Sequence, residues 1–336
     1  MRKTEIHIGA RNYAEAQWEQ LMKQAAYAFN MPHSYAYSLM GYVQAYLKTY
    51  YPVEFWTAAL NTIDRGLEKH NESSLGKYIN SISKSDLTFE KPDINNSGVM
   101  FESKDKSIYF ALSYIKDVSK GAEDIIKLRP FADWLDFLKK STEGKINKRV
   151  IRALIFSGAV DFGADLNERP KKWLEYLNLK KKGKKGAEEI AEYEAHMPES
   201  HDVIKLEYDF CKYSFAGIDA YIRKNATKAT LRNNLNLVKT ISQRDKAKKL
   251  WVLLGYIEDI SLKTSKKSGN EYVLLTLTDF RETISVYGFG ADFKNQILGK
   301  FKKGQLVKVG IKNESAWLKL PWPSEYNNKF PVEVVG

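Results

Sequence analysis

The chain has almost no cysteine: a single one, Cys211, in 336 residues. A lone cysteine excludes an intrachain disulfide and any zinc site built from several thiolates. Long apolar runs are missing too. No stretch approaches the ~20 apolar residues that span a bilayer. The first residues, Met1-Arg-Lys-Thr-Glu-Ile-His-Ile-Gly9, lack the apolar core of a signal peptide. The expectation is a cytoplasmic protein with no membrane attachment. Complete catalytic motifs are also wanting. Asp161-Phe-Gly163 spells the kinase magnesium tripeptide, but no glycine-rich loop or Val-Ala-Ile-Lys strand precedes it. Lys181-Lys-Gly-Lys-Lys-Gly186 lacks the Gly-x4-Gly-Lys-Ser/Thr spacing of a phosphate loop. His196 and His201 are not spaced to share a helix face for a metal, so they read as surface residues. No catalytic residue, metal site or cofactor is assigned to this chain.

What the chain carries is positive charge. Against 41 Asp and Glu stand 53 Lys and Arg, a formal net charge of +12. That surplus favours a polyanionic partner, nucleic acid before a membrane surface. The length allows two or three domains, and 43% hydrophobic residues supports real cores. Tyr109 to Ile126 joins an apolar run, a turn and a helix with Ala122, Ile125 and Ile126 on one face. Gly121 suits a positive φ, and the N–H groups opening the helix attract anions. Lys116, Ser119, Lys120, Gly121 and Ala122 are thus candidate phosphate contacts. The segment reads either as a helix-hairpin-helix or as an ordinary helix–loop–helix corner. A second glycine turn, Phe156-Ser-Gly-Ala159, follows a helix bearing Lys148, Arg149 and Arg152. Ser157 and Gly158 are its phosphate candidates.

Upstream lies a helical block. Ala14, Trp18, Leu21, Met22, Ala25 and Phe29 predict a helix from Asn12 to about Asn30. Ser34 can cap a second helix running to about Tyr50, with Leu39, Tyr42, Val43, Tyr46, Leu47 and Tyr50 in one stripe. Val53 to Leu60 makes a third. So many tyrosines suit base stacking, but helical spacing favours a place in the core.

These stretches carry a resemblance. Ala28-Phe-Asn-Met-Pro-His-Ser-Tyr-Ala-Tyr-Ser-Leu39, Tyr42-Val-Gln-Ala-Tyr-Leu-Lys48 and Tyr51-Pro-Val-Glu-Phe55 resemble the late fingers region of the bacterial replicative DNA polymerase III α subunit. That family reads Phe-Asn-Lys-Ser-His-Ser-x-Ala-Tyr-Ala, then Tyr-x-x-x-x-Leu-Lys and Tyr-Pro-x-Glu-Phe. Met31 and Pro32 replace its lysine and small residue. The resemblance implies that His33 and Ser34 lie near the incoming nucleotide; on residue type alone they equally cap and orient a helix. It continues through Pro92-Asp-Ile-Asn-Asn-Ser97, Arg129-Pro-Phe131, Trp134-x-x-Phe137 and Ile146 to Asp161. Where the family has Ile-Lys-Gly-Val-Gly-x-Gly-Ala, this chain keeps Ile115, Lys116, Val118, Gly121 and Ala122, with Asp117 and Ser119 in place of two glycines. One family order from Phe29 to Asp161 favours the helix-hairpin-helix over the corner. Asp117 puts a negative charge beside the phosphate site unless it turns back to cap the helix.

From Arg169 to Lys185 the basic residues Arg169, Lys171, Lys172, Lys180, Lys181, Lys182, Lys184 and Lys185 face one acid, Glu175. The run reads as a solvated face, secondarily as added phosphate affinity. No Gln-x-x-Leu-Phe peptide of the sliding-clamp type lies between Arg169 and Glu207, so clamp binding is not expected. From Lys249 the period becomes that of strands: Trp251–Ile260, Glu271–Asp279 and Thr283–Phe289, a helix Asp292–Phe301, then Gln305–Ile311 and Ala316–Leu320. That order is an OB-fold, a barrel suited to single-stranded nucleic acid. Lys266-Lys-Ser-Gly269 and Tyr272 to Asp279 follow the family's barrel outline. Lys263, Lys266, Lys267, Tyr272, Arg281 and Tyr287 are the single-strand candidates, while Trp251 and Trp317 read as packing. Phe330-Pro-Val-Glu-Val-Val335 can add an edge strand or dock on a partner.

The expected architecture is α+β and multidomain. It comprises a helical fingers-like region (1–85), a tandem helix-hairpin-helix domain (86–168), a basic linker with helices (169–248), the OB-fold (249–321) and a tail (322–336). In the family the palm, whose carboxylates hold magnesium, lies upstream of the late fingers. The resemblance therefore implies the DNA-binding C-terminal subunit of a split polymerase, of phage or mobile-element type, in a bacterial or phage-infected cell. DNA and a separate catalytic chain are its partners, magnesium belongs to that chain, and no polymerisation is expected alone. The alternatives are a free-standing DNA-binding accessory protein and a decoy of a host replisome.

Overall fold

The computed structural model describes residues 2–25, 31–63, 74–181, 183–218, 239–240, 250–266, 268–314, 317–321 and 332–334. It divides into two compact units, Met1–Phe55 and Trp56–Gly336. The first holds helix α1 (Arg2–Ala25), helix α2 (Met31–Tyr50) and the start of α3 (Pro52–Asn61). No residue of α2 is buried. Leu39, Tyr42, Val43, Tyr46, Leu47 and Tyr50 are all exposed, as are Trp18, Leu21 and Met22 of α1. The expectation that this stripe is core is therefore corrected. Periodicity shows that a helix has an apolar face, not that the same chain covers it. Ser34 lies within the first turn of α2, not ahead of it, so it does not cap the helix.

In the second unit, helix α4 (Ser74–Ile82) leads to a three-stranded sheet. Strand β1 (Thr88–Glu90) pairs parallel with β3 (Ser107–Tyr109), and β2 (Glu102–Lys104) pairs with β3 antiparallel. A 3-10 turn (Leu112–Tyr114) precedes helices α5 (Gly121–Lys127), α6 (Trp134–Glu143) and α7 (Lys148–Phe156). Two of the sequence motifs close on each other. The Asp93 carboxylate accepts from the N–H groups of Asn95 (2.9 Å) and Asn96 (2.8 Å), making a tight turn. Asn95 then pairs both ways with the Phe131 backbone, at 2.8 and 2.9 Å, and Arg129 Nε donates to Ile94 O at 2.6 Å. Pro92–Ser97 and Arg129–Phe131 are thus two halves of one hydrogen-bonded corner.

Helices α8 (Arg169–Lys180), α9 (Gly183–Ala195) and α10 (Ser200–Cys211) follow. Two cations of the basic run are inside rather than on a solvated face. The Arg169 guanidinium, 4% exposed, donates to Asp161 through Nε (2.9 Å) and Nη2 (2.7 Å), and to Glu207 through Nη1 (2.9 Å). Burial alone would lower its proton affinity; the Asp161 hydrogen bonds and the two carboxylate charges reverse that and leave its pKa raised. Lys172 Nζ donates to the Val160 and Asp161 carbonyls, both at 2.8 Å. Asp161 of the kinase-like tripeptide is thus an anchor for α8.

The barrel comprises β5 (Leu250–Thr264), β6 (Glu271–Thr278), β7 (Thr283–Phe289), helix α11 (Ala291–Ile297), β8 (Leu306–Glu314) and β9 (Trp317–Lys319). Strands β5, β6 and β7 pair antiparallel, β7 runs parallel to β9, β9 pairs with β8, and β8 returns to β5 to close the cylinder. This is an OB-fold. Strand β4 (Lys239–Thr240) adds to β5, and β10 (Val332–Val334) adds to β8 as an edge strand from the tail. Phe293 and Ile297 of α11 plug the core among Leu253, Val273, Leu275 and Val309. A second apolar cluster, with Ile204 and Tyr208 from α10 and Tyr256, Phe280 and Leu306 from the barrel, joins the helical layer to the cylinder. No helix among the described residues is long and apolar enough to cross a membrane.

Candidate nucleic-acid interface

The first hairpin is built from a chain of tight turns. Lys116, Asp117, Ser119 and Lys120 are exposed, while Ile115, Val118 and Ala122 are buried beneath them. The Lys116 N–H donates to Phe210 O at 2.9 Å, which pins the turn to the end of α10. The N–H groups of Gly121 and Ala122 donate within the turn, to Val118 O (2.7 Å) and Ser119 O (3.1 Å). Those two amides are spent, and Glu123 and Asp124 follow in the first turn of α5, opposing an anion there. The expectation of Gly121 and Ala122 as backbone phosphate donors is corrected accordingly. Gly121 has no positive φ. Its small size serves contact with α7, since a Cβ would lie 3.4 Å from Val150 Cγ2. The lysine side chains and Ser119 are what the turn offers outward.

Helix α7 starts where the Asn147 side chain accepts from the Arg149 N–H at 2.8 Å. Val150, Ile151 and Ala153 to Phe156 are buried, which leaves Lys148, Arg149 and Arg152 exposed on the other face. Lys148 pairs with Glu189 of α9 and stands 5.7 Å over the Trp173 ring. Arg152 stands over the rings of Phe156 (5.7 Å) and Phe210 (5.9 Å). Phe210 thus holds the first turn through its carbonyl and lies beneath Arg152 through its ring. The second glycine turn is not part of this exposed face. Ser157 is 1% exposed and its hydroxyl donates to Leu154 O at 3.1 Å. Gly158 has φ 84°, and a Cβ there would meet Arg169 Nη2 at 2.3 Å. Arg169 fills the space a phosphate contact would need, so Ser157 and Gly158 are corrected to packing roles.

On the barrel, alternation sorts the side chains. Val273, Leu275, Ile284 and Val286 point into the core; Tyr272, Tyr287 and Phe289 lie on the outer face. Their ring centroids are 5.7 Å apart for Tyr272–Tyr287 and for Tyr272–Phe289, and 6.1 Å for Tyr287–Phe289, the last pair stacked at 8°. In the register, Lys263 is opposite Tyr272, Tyr287 is opposite Lys319, and Lys319 is opposite Lys312. The outer face is three clustered rings with lysines on both flanks. Lys266 is exposed at the β5–β6 turn, and Lys267 lies outside the described residues. Arg281 is elsewhere: its Nη2 donates to Phe215 O at 3.0 Å, next to Gly217. It ties the β6–β7 turn to the segment after α10 and is removed from the single-strand set. Phe289, Lys312 and Lys319 were not anticipated. Phe289 is two residues from Tyr287 and so was detectable by strand period, whereas the lysines required the β7–β9 pairing.

His33 and Ser34 are exposed on α2, the His33 ring 4.4 Å from that of Tyr37. Among the described residues no three His, Cys, Asp or Glu side chains gather where they could hold a metal ion.

Comparison with known proteins agrees with this geometry. A family described as "Helix-hairpin-helix motif" matches residues 86–168. The DNA polymerase III subunit alpha of Aquifex aeolicus is 30% identical over 273 residues, 78% of this chain and 22% of that one. The chain is a relative of the C-terminal part of that subunit. The subunit of Thermus aquaticus is 36% identical over 153 residues (44% of this chain, 12% of that one). That of Campylobacter jejuni is 38% identical over 174 residues (47% and 14%). The chain thus spans less than a quarter of the relatives it matches. Seen as a polymerase III α-like hairpin, the first turn has a specific oddity. Asp117 (φ 69°) and Ser119 (φ 32°) occupy left-handed conformations, where the polymerase pattern has glycine. Each costs about 1–2 kcal/mol more than an ordinary conformation. The N-cap of α5 is Lys120 without a side-chain bond, so Asp117 does not cap the helix and its charge stays beside the lysines.

Proposed function

We propose that this chain grips DNA in replication, as the C-terminal, DNA-holding part of a polymerase III α-like enzyme whose palm is carried by a separate chain. Lys116, Ser119, Lys120, Lys148, Arg149 and Arg152 contact the phosphates of duplex DNA without reading sequence. The outer barrel face takes the single strand. Bases stack on Tyr272, Tyr287 and Phe289, and the backbone runs along Lys263, Lys266, Lys312 and Lys319. His33 and Ser34 approach the incoming nucleotide once the catalytic chain is present, and magnesium is held there by the palm carboxylates of that chain. The cell compartment is the cytoplasm, where the DNA is.

The observation that carries this reading is the barrel's ring cluster flanked by lysines, on a chain whose relatives are replicative polymerase subunits. The test is a pair of measurements on the full chain. It should bind both single-stranded and primer–template DNA with an affinity that falls steeply with salt. Primer extension should appear only on adding the palm-bearing chain from the same genome. Failure to bind either DNA at low salt contradicts the proposal; binding without any palm-bearing partner leaves the accessory-protein alternative.

A further inference from the structure

Of the three cations that α7 turns outward, one is already held. Lys148 pairs with Glu189 of α9, and its ammonium stands 5.7 Å over the Trp173 ring of α8. Among the described residues, Arg149 and Arg152 have no carboxylate partner. The Lys148 contact belongs to a longer juxtaposition. Lys148 and Arg152 are one turn apart on α7, as Glu189 and Tyr193 are on α9, so each pair shares a face of its helix. Tyr193 lies within reach of the Arg152 charge: burial pushes the Tyr193 hydroxyl up to about 12, and Arg152 pulls it the other way. The Glu189–Tyr193 side of α9 therefore faces the Lys148–Arg152 side of α7.

Helix α9 is lightly seated there. Ile190 is its single buried residue. A cavity of about 280 Å³ separates it in part from α8, lined by Trp173, Leu177, Glu189, Glu192, Tyr193 and His196. Glu188, Glu189, Glu192 and Glu194 are all exposed on it, so α9 presents carboxylates beside the cations that the duplex needs.

We infer that Glu189 is a built-in competitor of DNA, holding Lys148 as a phosphate would until duplex displaces it. The inference rests on the function proposed above and concerns the regulation of that same contact. An exposed ion pair contributes little to stability, because solvent screens it; the weight of this one falls on binding. A free lysine that neutralises a phosphate releases a counterion from DNA. A lysine already neutralised by Glu189 must first return that carboxylate to solvent. The indole of Trp173 strengthens the hold, since an ammonium over its face is attracted to the ring. A single phosphate thus meets a lysine that is already satisfied, whereas a duplex that also engages Arg149 and Arg152 can displace Glu189.

The test measures duplex affinity of the full chain by fluorescence anisotropy at low salt. The variants are Glu189→Gln and Glu188→Gln, each made alone and with Lys148→Met, which keeps an apolar stem over Trp173. Glu188→Gln removes the same charge one residue away, and so measures the general effect of a less acidic α9. Glu189→Gln should tighten duplex binding about three- to fivefold more than Glu188→Gln does. With Lys148→Met in place, the two changes should have equal effects. Equal gains in the native background, or an excess for Glu189→Gln that survives Lys148→Met, overturns the competitor while the proposed function stands. If wild type does not bind duplex at all, the proposed function falls and takes this inference with it.

Discussion

The two glycine turns of this protein are close in sequence character and opposite in outcome. Both follow an apolar run, both carry serine and glycine, and both have basic residues nearby. The first, around Asp117 to Ala122, keeps Lys116, Ser119 and Lys120 at the surface. The second, Phe156 to Ala159, is buried against Arg169, which reaches the space beside Gly158 and holds Asp161 and Glu207 together. What separates them lies outside both turns, in a guanidinium supplied by the next helix. A hairpin glycine leaves room for a ligand only when no other part of the chain has taken that room.

The largest effect should come from the closed turn. Arg169→Met takes the guanidinium from two buried carboxylates, leaving Asp161 the 3.5 Å contact with Lys91 and Glu207 the bond from Ser214, and should cost about 3–5 kcal/mol, read as a lowered urea midpoint. Gly158→Ala should also destabilise by a few kcal/mol, about 1–2 from the positive φ and the rest from the contact with Arg169. If Gly158→Ala instead kept full stability and lost duplex binding, the two turns would be alike after all. On the barrel, Tyr287→Ala should weaken single-strand affinity by about 1–3 kcal/mol and leave duplex affinity unchanged, measurable by fluorescence anisotropy. At the open turn, Lys120→Ala should weaken duplex binding for all sequences alike. It should also reduce the slope of log K against log salt by about 1.

The smallest expected effect is the most diagnostic of the open turn. Asp117→Gly removes both a left-handed aspartate and a negative charge beside Lys116. Stability should rise by about 0.5–1 kcal/mol, the relief of strain less the entropy of glycine, and duplex affinity should rise with it. A gain in stability without a gain in affinity would mean that DNA does not approach this turn.

The barrel was legible because strand alternation is local: Glu271–Thr278 and Thr283–Phe289 are nearly the spans that the pattern predicts. The helix-hairpin-helix order was legible from motifs, and Asn95 with Phe131 shows why two of them travel together. The rest depended on partners distant in sequence. Arg169 looked like linker charge until Glu207, on another helix, came within 2.9 Å. Arg281 looked like a groove cation until its fork met the carbonyl of Phe215. Lys319 joined the ring cluster only through the parallel pairing of β7 and β9. The tyrosines of α2 misled for a different reason: their spacing states that a face exists and is silent on which chain covers it.

The central claim is that the outer barrel face holds single-stranded DNA by stacking. Its most direct test is binding of a fluorescent single-stranded oligonucleotide by the full chain with Tyr272, Tyr287 and Phe289 all changed to alanine. The account predicts a loss of single-strand affinity of about tenfold or more, with duplex affinity and its salt dependence as in the wild type. A variant that folds and binds the single strand as tightly as the wild type would contradict it.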